Sequence, residues 1–524
     1  MSTNQTQKQE PSKMKNVWSR PVALQKDSQF KTWLIFLGLV LIGFSLWIPV
    51  RALWSRYLYT RPTKPIERKA DSFVVLDYDG VSDEAAKPGS LDIFPERFQE
   101  HIQELVARGY NSIGLDDVIA FYKEGRLLPE KAILLTFEQT RKSSYFEARS
   151  ILNKYKWRAV MGVWTAPMHA QDAQALLWPY LRNMFVLGTW DLAAQSNAGF
   201  GYIPAGPDGD KGHFMTTPMW LEEQQRYEVP KEFTQRVKKD HQGVIDEFKK
   251  ELGVPPLVFF FPYGDYGQYD EKAKVVRNIN LCQVGTNYLL GFTLGNLALN
   301  TKYSDRTRLN RLLVNPKWTA RELADRLDRV WPFLPDEEYR IRNFGPDYWV
   351  REWGDVSAEK GELRVNAVPS EDPLETHGKL GASSTTGAKA WLLGSDLFQD
   401  GYISMRFQIK RGRFALYLRS SSKGEYIVFT LDAMGNASLR QKDSLGREVL
   451  LATETSMSDY RTDYDVLLGL RGNMAYVRLN NRLLFDGRVL LKGDPLPGLI
   501  GVGVWDEVDG IGELKVFSTK LATP

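Results

Sequence analysis

Four carboxylic acids in this sequence each follow a short apolar run of the kind that forms a buried strand. They are Asp79, Glu138, Asp191 and Asp265. If the runs are parallel strands of one sheet, their carboxyl ends meet at one edge and the four side chains gather there. Two carboxyl groups about 5–9 Å apart can hydrolyse a glycosidic bond, one as the acid and the other as base or nucleophile. Turn capping, local hydrogen bonding and solvation are the alternative roles, and all of them stay open at this point.

Cysteine and histidine, the common ligands of transition metals, are scarce. The single cysteine, Cys282, excludes an intrachain disulfide and a cysteine-based zinc cage. The histidines contain no pair spaced four or five residues apart, and we expect His101 on the surface of its helix. We therefore predict no metal and no other cofactor. The five histidines are His101, His169, His213, His241 and His377.

Composition narrows the class of protein further. The 68 basic and 64 acidic residues leave a net charge of +4, which is too balanced for a dedicated nucleic-acid binder. A hydrophobic content of 43% over 524 residues is typical of a folded chain of about three domains.

The elements that would position the carboxylates alternate between strand and helix from residue 71 to residue 332. One helix begins at Pro95 and ends at Gly109, and another begins at Thr319, where Glu322 completes a capping box. This alternation predicts an α/β fold, with a parallel sheet or barrel whose active face lies at the carboxyl ends of the strands. The predicted strands span residues 73–78, 132–137, 159–163, 185–187 and 257–261.

The carboxyl-terminal part has a different pattern. Apolar and polar side chains alternate over residues 402–409, and similar runs follow, separated by turn signals such as Asp400–Gly401 and Lys423–Gly424. Short alternating strands with regular turns predict an antiparallel β-sandwich. We place it at residues 347–524, after a linker at 333–346.

One uncharged apolar segment lies near the amino end. Residues 33–50 carry no charge and are bracketed by Lys31 and Arg51. About 17–20 such residues cross a bilayer, so we predict one transmembrane helix at 32–51, between a polar tail (1–31) and a linker (52–70). Basic residues are similarly dense on both sides, so the charge count does not determine its orientation.

Residues 73–330 resemble the polysaccharide deacetylases of carbohydrate esterase family 4, with a layout similar to poly-N-acetylglucosamine deacetylases of biofilm systems. The resemblance lies in FPERFQEHIQELVARGYNSIGLDDVIAFYKEGRLLPEKAILLTF, in GTWDL and in LGVPPLVFFFPYGDY. It implies a distorted (β/α) barrel. In such enzymes a divalent metal, held by an aspartate and two histidines, activates a water for attack on an N-acetyl group.

This sequence departs from that family at each ligand position. Gln139 stands where the family's first motif has the liganding aspartate, and Gly188 and Ala193 stand at the histidine positions of the second motif. Asp79 replaces a histidine that usually follows the first strand. The resemblance therefore predicts a deacetylase fold without metal or deacetylation, in which Glu138 could still act as a base. If the chain is active, Glu138, Asp79 and Asp191 are the catalytic candidates.

Aromatic residues in the motifs that carry the resemblance indicate carbohydrate binding, because sugars stack on aromatic rings. Trp190 and Tyr263 fall in motifs that line the family's substrate groove, and Trp164 follows a predicted strand. Core packing is the alternative for each tryptophan. We add Asp265 as a fourth substrate-binding candidate.

The carboxyl-terminal region resembles concanavalin- and laminin-G-like jelly rolls. The similar runs are YWVREWGDVSAEKGELRV, LRGNMAYVRLNNRLLFDG and GLIGVGVWDEVDGIGELKVFS. Such modules bind glycans or dock other proteins, and both roles stay open.

Together these observations predict a membrane-anchored, catalytically inactive deacetylase-like protein that binds or guides an exopolysaccharide, an amino-sugar polymer. We expect it in the cytoplasmic (inner) membrane beside a membrane glycosyltransferase or synthase, with its large carboxyl-terminal region outside the cytoplasm. The alternatives are an active carbohydrate hydrolase, either deacetylase or glycosidase, and an envelope protein-interaction scaffold.

Overall fold

The computed structural model describes residues 69–268, 274–332, 340–368, 387–455, 463–505 and 512–523. The predicted tail and transmembrane helix, and nearly all of the first linker, lie outside these residues. Among the helices that the structure does describe, none is long and apolar enough to cross a bilayer.

The first domain is a curled sheet of mainly parallel strands surrounded by helices. Its strands are β1 (Ser72–Tyr78), β2 (Ala132–Phe137), β3 (Ala159–Val163), β4 (Trp190–Ala194), β5 (Val258–Phe260), β6 (Leu290–Phe292), β7 (Leu299–Thr301) and β8 (Leu312–Leu313). The order β6-β5-β4-β3-β2-β1 is parallel throughout. Strand β7 pairs antiparallel with β1, and β8 pairs parallel with it. Bridges from Phe292 to Leu309 and from Gly295 to Leu312 link β6 to the segment that ends in β8, so the sheet curls back towards β1.

Successive side chains of these strands face opposite sides of the sheet. In β1, Phe73 and Val75 belong to an apolar cluster inside the curl, whereas Val74 and Leu76 pack outside, in the cluster that includes the helices. The same alternation turns Asp77, at the end of β1, towards the inside. Polar groups from several strands therefore meet at the carboxyl ends.

Helices surround the sheet, most of them on its outer face, while the second in the series packs its buried residues into the inner apolar cluster. They are α1 (Pro95–Ala107), α2 (Leu115–Glu124), α3 (Lys142–Tyr155), α4 (Trp178–Leu187), α5 (Pro230–Leu252), α6 (Lys274–Asn287) and α7 (Ala320–Asp328), with a single turn at Ala166–His169. The predicted capping box at Thr319 and Glu322 is confirmed. The expected surface position of His101 is wrong, because its ring is buried and bonded to Trp318 O and Tyr78 Oη.

One predicted strand is wrong, and the error matters for the site. Residues 185–187 form the last turn of α4, which ends where Gly188 adopts a left-handed conformation (φ 65°). The strand begins two residues later, at Trp190. A short apolar run does not by itself distinguish a strand from a buried helical turn.

The first domain also contains shorter strands. Short strands pair as Lys69–Ala70 with Leu128–Pro129, Gly80–Val81 with Asp92–Ile93, Tyr202–Pro204 with Lys211–His213, Trp220–Leu221 with Arg226–Tyr227, and Asn111–Ser112 with β2. The two hairpins between residues 202 and 227 lie in the long connection from β4 to β5.

The second domain is a sandwich of two antiparallel sheets around its own apolar core. The first sheet has the order Trp349–Trp353, Gly387–Leu392, Leu499–Trp505, Arg413–Ser420, Tyr426–Asp432, Ala437–Lys442 and Glu448–Glu454. The second has the order Asp355–Glu359, Glu362–Asn366, Glu513–Thr523, Gly401–Arg411, Asp463–Arg471, Met474–Leu479 and Arg482–Leu483, with Arg340–Phe344 and Val489–Leu490 also paired to it. Because Arg340–Phe344 pairs with Glu513–Thr523, the sandwich begins inside the segment predicted as a linker.

The two domains pack against each other. Side chains from the outer face of the first sandwich sheet, such as Trp391 and Val428, belong to the same apolar cluster as the helices of the first domain. The Asn296 side chain donates to Arg351 O at 2.9 Å, and Arg329 pairs with Asp347 at 3.2 Å. A continuous apolar contact between the domains argues against free movement of one relative to the other.

Candidate functional site

Four residues at the carboxyl ends of the parallel strands have left-handed backbone conformations although they are not glycines. Gln139 (φ 63°) and Thr140 (φ 55°) follow β2, Ser196 (φ 82°) follows β4, and Tyr263 (φ 57°) follows β5. Left-handed conformations are uncommon for residues other than glycine and cost about 1–3 kcal/mol each. Such strain clusters at functional sites, so this edge of the sheet is the candidate site.

The centre of this edge is a buried ion triad. The Arg311 guanidinium contacts Asp77 Oδ1 at 2.8 Å and Glu138 Oε1 at 2.7 Å, and its Nε donates to Thr293 O at 3.2 Å. Its charge also lies 4.2 Å from the centroid of the Phe260 ring. Arginine suits this position because its planar fork can hold two carboxylates at once.

The triad combines one cation with two acids. Burial raises the pKa of Asp77, and the neighbouring Glu138 carboxylate raises it further. The Arg311 charge and the hydroxyl of Thr136, which donates to Asp77 Oδ1 at 2.6 Å, act in the opposite direction. A proton shared within this group leaves the triad close to neutral, as its burial requires.

Glu138 and Asp79 meet at this edge, as the sequence predicts, but both are paired. Glu138 is 2% exposed and its Oε1 faces Arg311. Asp79 pairs with Arg141 at 3.1 Å. Burial, opposed by Arg141 and reinforced by Glu138, raises the pKa of Asp79 to about 6.

Asp191 lies at the other end of the sheet, so its predicted place beside Glu138 is wrong. It is the second residue of β4 and therefore lies near the amino ends of the strands. It accepts from Leu115 N at 2.9 Å and pairs with Arg158 at 3.0 Å. Burial raises the pKa of Asp191, and Arg158 opposes this rise. These contacts give Asp191 a structural role.

Gln195, which sequence reasoning missed, lies beside Gln139. Alternation along β4 turns Asp191, Ala193 and Gln195 towards the inside of the sheet, and Gln195 is the first residue beyond the strand. Its Oε1 accepts from Gln139 N at 2.8 Å, and its Nε2 has no hydrogen-bond partner in the described structure. The correct strand boundary would have revealed it.

The second motif was therefore assigned to the wrong residues. Gly188 ends α4 at the amino side of β4, and Ala193 is fully buried within the inner apolar cluster. Neither can stand in for a histidine facing Gln139. The residue in that place is Gln195.

This donor set does not fit a zinc-type metal. The two side chains nearest the expected site are neutral amides, and the carboxylates of Asp79 and Glu138 already pair with arginines. Zinc favours imidazole, thiolate and carboxylate ligands. Among the described residues, no three histidine, cysteine, aspartate or glutamate side chains are grouped so that they could hold a metal.

An aromatic row runs along the same edge. It consists of Trp164, Phe200, Tyr263, His213 and Tyr202, whose successive ring centroids are 4.8, 4.8, 4.9 and 5.4 Å apart. Tyr202 is 55% exposed, whereas Trp164 and Tyr263 are half-buried. Burial raises the pKa of Tyr263 to about 12, and Tyr202 and Glu138 contribute to the rise. The row therefore lies within electrostatic reach of the ion triad.

Trp190 is not part of this row, which corrects its prediction as a substrate-stacking residue. Its side chain is 2% exposed and faces outward from β4, where it packs against Phe137 and Tyr145. A sugar cannot reach either face of this indole. The alternative of core packing holds for Trp190.

Asp265 lies at the carboxyl-terminal edge of the sheet, as predicted, but its carboxylate is hydrogen-bonded to nearby loop residues. Its Oδ1 accepts from Gly267 N at 2.8 Å, and its Oδ2 accepts from the Thr216 hydroxyl at 3.2 Å. It thereby connects the loop after β5 to the hairpin insertion.

A curled parallel sheet with paired carboxylates at the carboxyl ends of its strands is the class of site expected from the resemblance to polysaccharide deacetylases. Curated relatives confirm the resemblance. The sequence is 25% identical over 294 residues to the poly-β-1,6-N-acetyl-D-glucosamine N-deacetylases of Escherichia coli O157:H7 and strain K12. The alignment covers 53% of this chain but only 41% of each relative. No protein-family model matches the sequence.

Solved structures of deacetylases are also similar. A de-N-acetylase from Aggregatibacter actinomycetemcomitans is 22% identical, with a TM-score of 0.43 and coverage of 49% of this chain and 99% of that one. The BpsB deacetylase domain from Bordetella bronchiseptica is 21% identical, with a TM-score of 0.38 and coverage of 47% and 97%.

Proposed function

We propose that the first domain binds an N-acetylated polysaccharide without removing its acetyl groups. The observation that carries the proposal is the buried triad, in which Arg311 occupies the carboxylate that would otherwise act as the base. The curated relatives act on poly-β-1,6-N-acetyl-D-glucosamine, and a polymer of this class is the ligand we propose for this chain.

Deacetylation requires a base and an electrophile, and this site supplies neither in usable form. Glu138 is buried and its carboxylate is ion-paired with the Arg311 guanidinium, so it does not face a substrate water. Gln139 and Gln195 carry no charge that could hold a cation to polarise the acetyl carbonyl. Deacetylation would therefore lack both its base and its electrophile.

The aromatic row supports binding. Trp164 and Tyr263 lie on either side of Phe200, and the exposed ring of Tyr202 extends the row onto the hairpin insertion. A row of rings can stack successive sugar units, and each stacked ring contributes about 1–3 kcal/mol by analogy with base stacking. This arrangement suits a polymer better than a single sugar.

We further propose that the segment at 32–51 anchors the protein in the cytoplasmic membrane, with the two folded domains outside the cytoplasm. A polymer made by a membrane synthase would emerge at that surface and meet the aromatic row. Protease added to spheroplasts should digest the large carboxyl-terminal fragment, whereas full protection would refute this topology.

A glycosidase is less well supported, because each of the three catalytic candidates is paired with an arginine and Asp265 is hydrogen-bonded within its loop. Asp191 lies at the opposite end of the sheet, and Asp79 and Glu138 contact Arg141 and Arg311. A protein-interaction scaffold is the outcome if the chain binds no saccharide at all.

The test is calorimetric titration of the purified full chain with a β-1,6-linked N-acetylglucosamine hexamer. Tyr263→Ala and Trp164→Ala should each weaken binding about tenfold, near the middle of the stacking range. Tyr303→Ala is the matched control, because this tyrosine is 42% exposed just after β7, which pairs near the amino end of β1. Equal affinities for all three variants would refute the proposed groove.

A further inference from the structure

A pair of accessible aromatic rings, separate from the aromatic row, lies on the second hairpin of the insertion between β4 and β5. Trp220 and Tyr227 are partners across this hairpin, with ring centroids 5.1 Å apart. Trp220 is half-buried and Tyr227 is 49% exposed. Within the part of the chain that the structure describes, neither ring belongs to an apolar cluster of the two domains. Core packing therefore does not account for this pair.

The second hairpin lies beside the end of the aromatic row. Its strand Trp220–Leu221 is adjacent to Tyr202–Pro204, the strand of the first hairpin that carries the outermost ring of the row. A chain of sugars that leaves the row at Tyr202 therefore meets the second hairpin next.

A mostly buried arginine holds the insertion in place. Arg236 of α5 pairs at 2.7 Å with Glu228, which directly follows the second hairpin. Its guanidinium also donates to Phe214 O and, at 3.0 Å, to Thr217 O, in the segment between the two hairpins. Glu228 in turn accepts from Met219 N at 3.0 Å. Because the insertion is already ordered, a ligand that binds to it loses little conformational entropy in the protein.

The turn of the second hairpin places hydrogen-bond acceptors next to the rings. Glu222 Oε2 accepts from Trp220 Nε1 at 2.8 Å, and Glu223 is exposed at the next position. Arg226, the base of this hairpin, is paired with Glu232 at 2.7 Å. A sugar ring combines an apolar face, which can stack on an indole, with hydroxyl groups that can donate to a carboxylate. The same acids repel a polymer that carries anionic substituents.

We propose that the second hairpin is a distal subsite of the polysaccharide site, where Trp220 and Tyr227 bind a further unit of an uncharged amino-sugar polymer. This subsite rests on the function proposed for the aromatic row, because both bind the same chain. A short oligomer fills the row alone, whereas a longer one also reaches the second hairpin. The site therefore prefers polymer over short fragments, as a protein that guides a growing chain requires.

The test is calorimetric titration of the full chain with a trimer and a nonamer of β-1,6-linked N-acetylglucosamine. A nonamer can occupy any site in more registers than a trimer, so the nonamer-to-trimer ratio of affinities is compared between variants. Trp220→Ala should weaken nonamer binding about tenfold, as expected for one stacked ring, and leave trimer binding unchanged. Trp220→Phe keeps a flat ring and should retain most of the wild-type ratio, whereas Trp220→Leu should behave as Trp220→Ala.

Tyr303→Ala is again the matched control, because this tyrosine is 42% exposed near the other end of the sheet, and it should change neither affinity. A wild-type ratio in Trp220→Ala, or an equal loss for trimer and nonamer, would overturn the distal subsite. If trimer binding still depends on Tyr263 in that case, the proposed function survives without it. If neither oligomer binds the wild type, the proposed function fails and the subsite fails with it.

Discussion

Each of the two domains buries a cation, but the side chains that surround the two cations differ in kind. Arg311 in the first domain contacts two carboxylates and is fully buried. Lys389 in the sandwich is surrounded by aromatic rings and contacts no carboxylate among the described residues. The first cation is ion-paired with two acids, whereas the second is held mainly by rings.

This difference indicates which of the two cations the fold depends on. A buried charge that is fully paired contributes to the fold, and opening it to a ligand costs the energy of the pairs. A charge held only by rings is less well compensated, so replacing it with an apolar side chain costs the fold little. By this reasoning Arg311 holds the carboxylates at the strand ends, and we expect a ligand at the aromatic row instead.

Removing Arg311 should have the largest effect. Arg311→Met leaves Asp77 and Glu138 buried without a counter-charge, and should lower the free energy of unfolding by about 3–5 kcal/mol in urea titrations. Adding Asp77→Asn and Glu138→Gln should recover most of the loss. Failure of this rescue would mean that Arg311 acts through packing and not through charge.

Two aromatic residues of the first domain also differ in burial: Trp190 is buried in the core, whereas Tyr263 is half-buried at the edge of the sheet. Trp190→Ala should lower the free energy of unfolding by about 3–5 kcal/mol, because it empties a buried site between β4 and α3. Tyr263→Ala should be much milder in the same urea titrations while weakening saccharide binding. A stable Trp190→Ala variant with selectively impaired binding would contradict the assignment of Trp190 to the core.

The triad should also make stability depend on pH. Burial raises the pKa of Asp77 in the folded protein above its ordinary value, so between the two values the folded state holds a proton that the unfolded state has released. Stability contributed by this proton is therefore lost as pH rises, by at most about 1.4 kcal/mol per pH unit. Urea titrations from pH 5 to 8 should show a smaller decline for Asp77→Asn than for the wild type, and parallel curves would refute the shift.

Removing Lys389 should have the smallest effect on stability. Lys389→Met exchanges a poorly satisfied charge for an apolar chain among aromatic rings, and the free energy of unfolding should stay within about 1 kcal/mol of the wild type or rise. A loss as large as that of Arg311→Met would show that Lys389 is also a structural cation, and the contrast between the two domains would fail.

The sequence predicts individual strands and helix caps, but it does not predict which distant residues pair in the folded protein. The bounds of β2 and β3 and the cap at Thr319 follow from nearby residues alone. Arg311 pairs with Asp77 across 234 residues, and only closure of the sheet brings them together. The sequence therefore identifies Glu138 as a candidate catalytic residue but does not identify Arg311 as its partner.

The second motif shows how a small error in an element displaces a site. The resemblance placed the second motif at residues 188–193, which made Gly188 and Ala193 the expected ligand positions, and the strand was predicted before them, at 185–187. The true strand starts at Trp190, which turns Trp190 towards the helices and brings Gln195 to Gln139. Because side chains alternate along a strand, its boundary decides which residues face the site.

The most direct test of the central claim measures binding and acetate release in the same sample. The full chain is incubated with an N-acetylglucosamine hexamer and zinc, cobalt or nickel, and free acetate is followed by NMR while bound hexamer is measured by calorimetry. We expect saturable binding and no acetate above a protein-free control with any metal. Acetate release that depends on a metal and disappears in Glu138→Gln would contradict a closed catalytic centre.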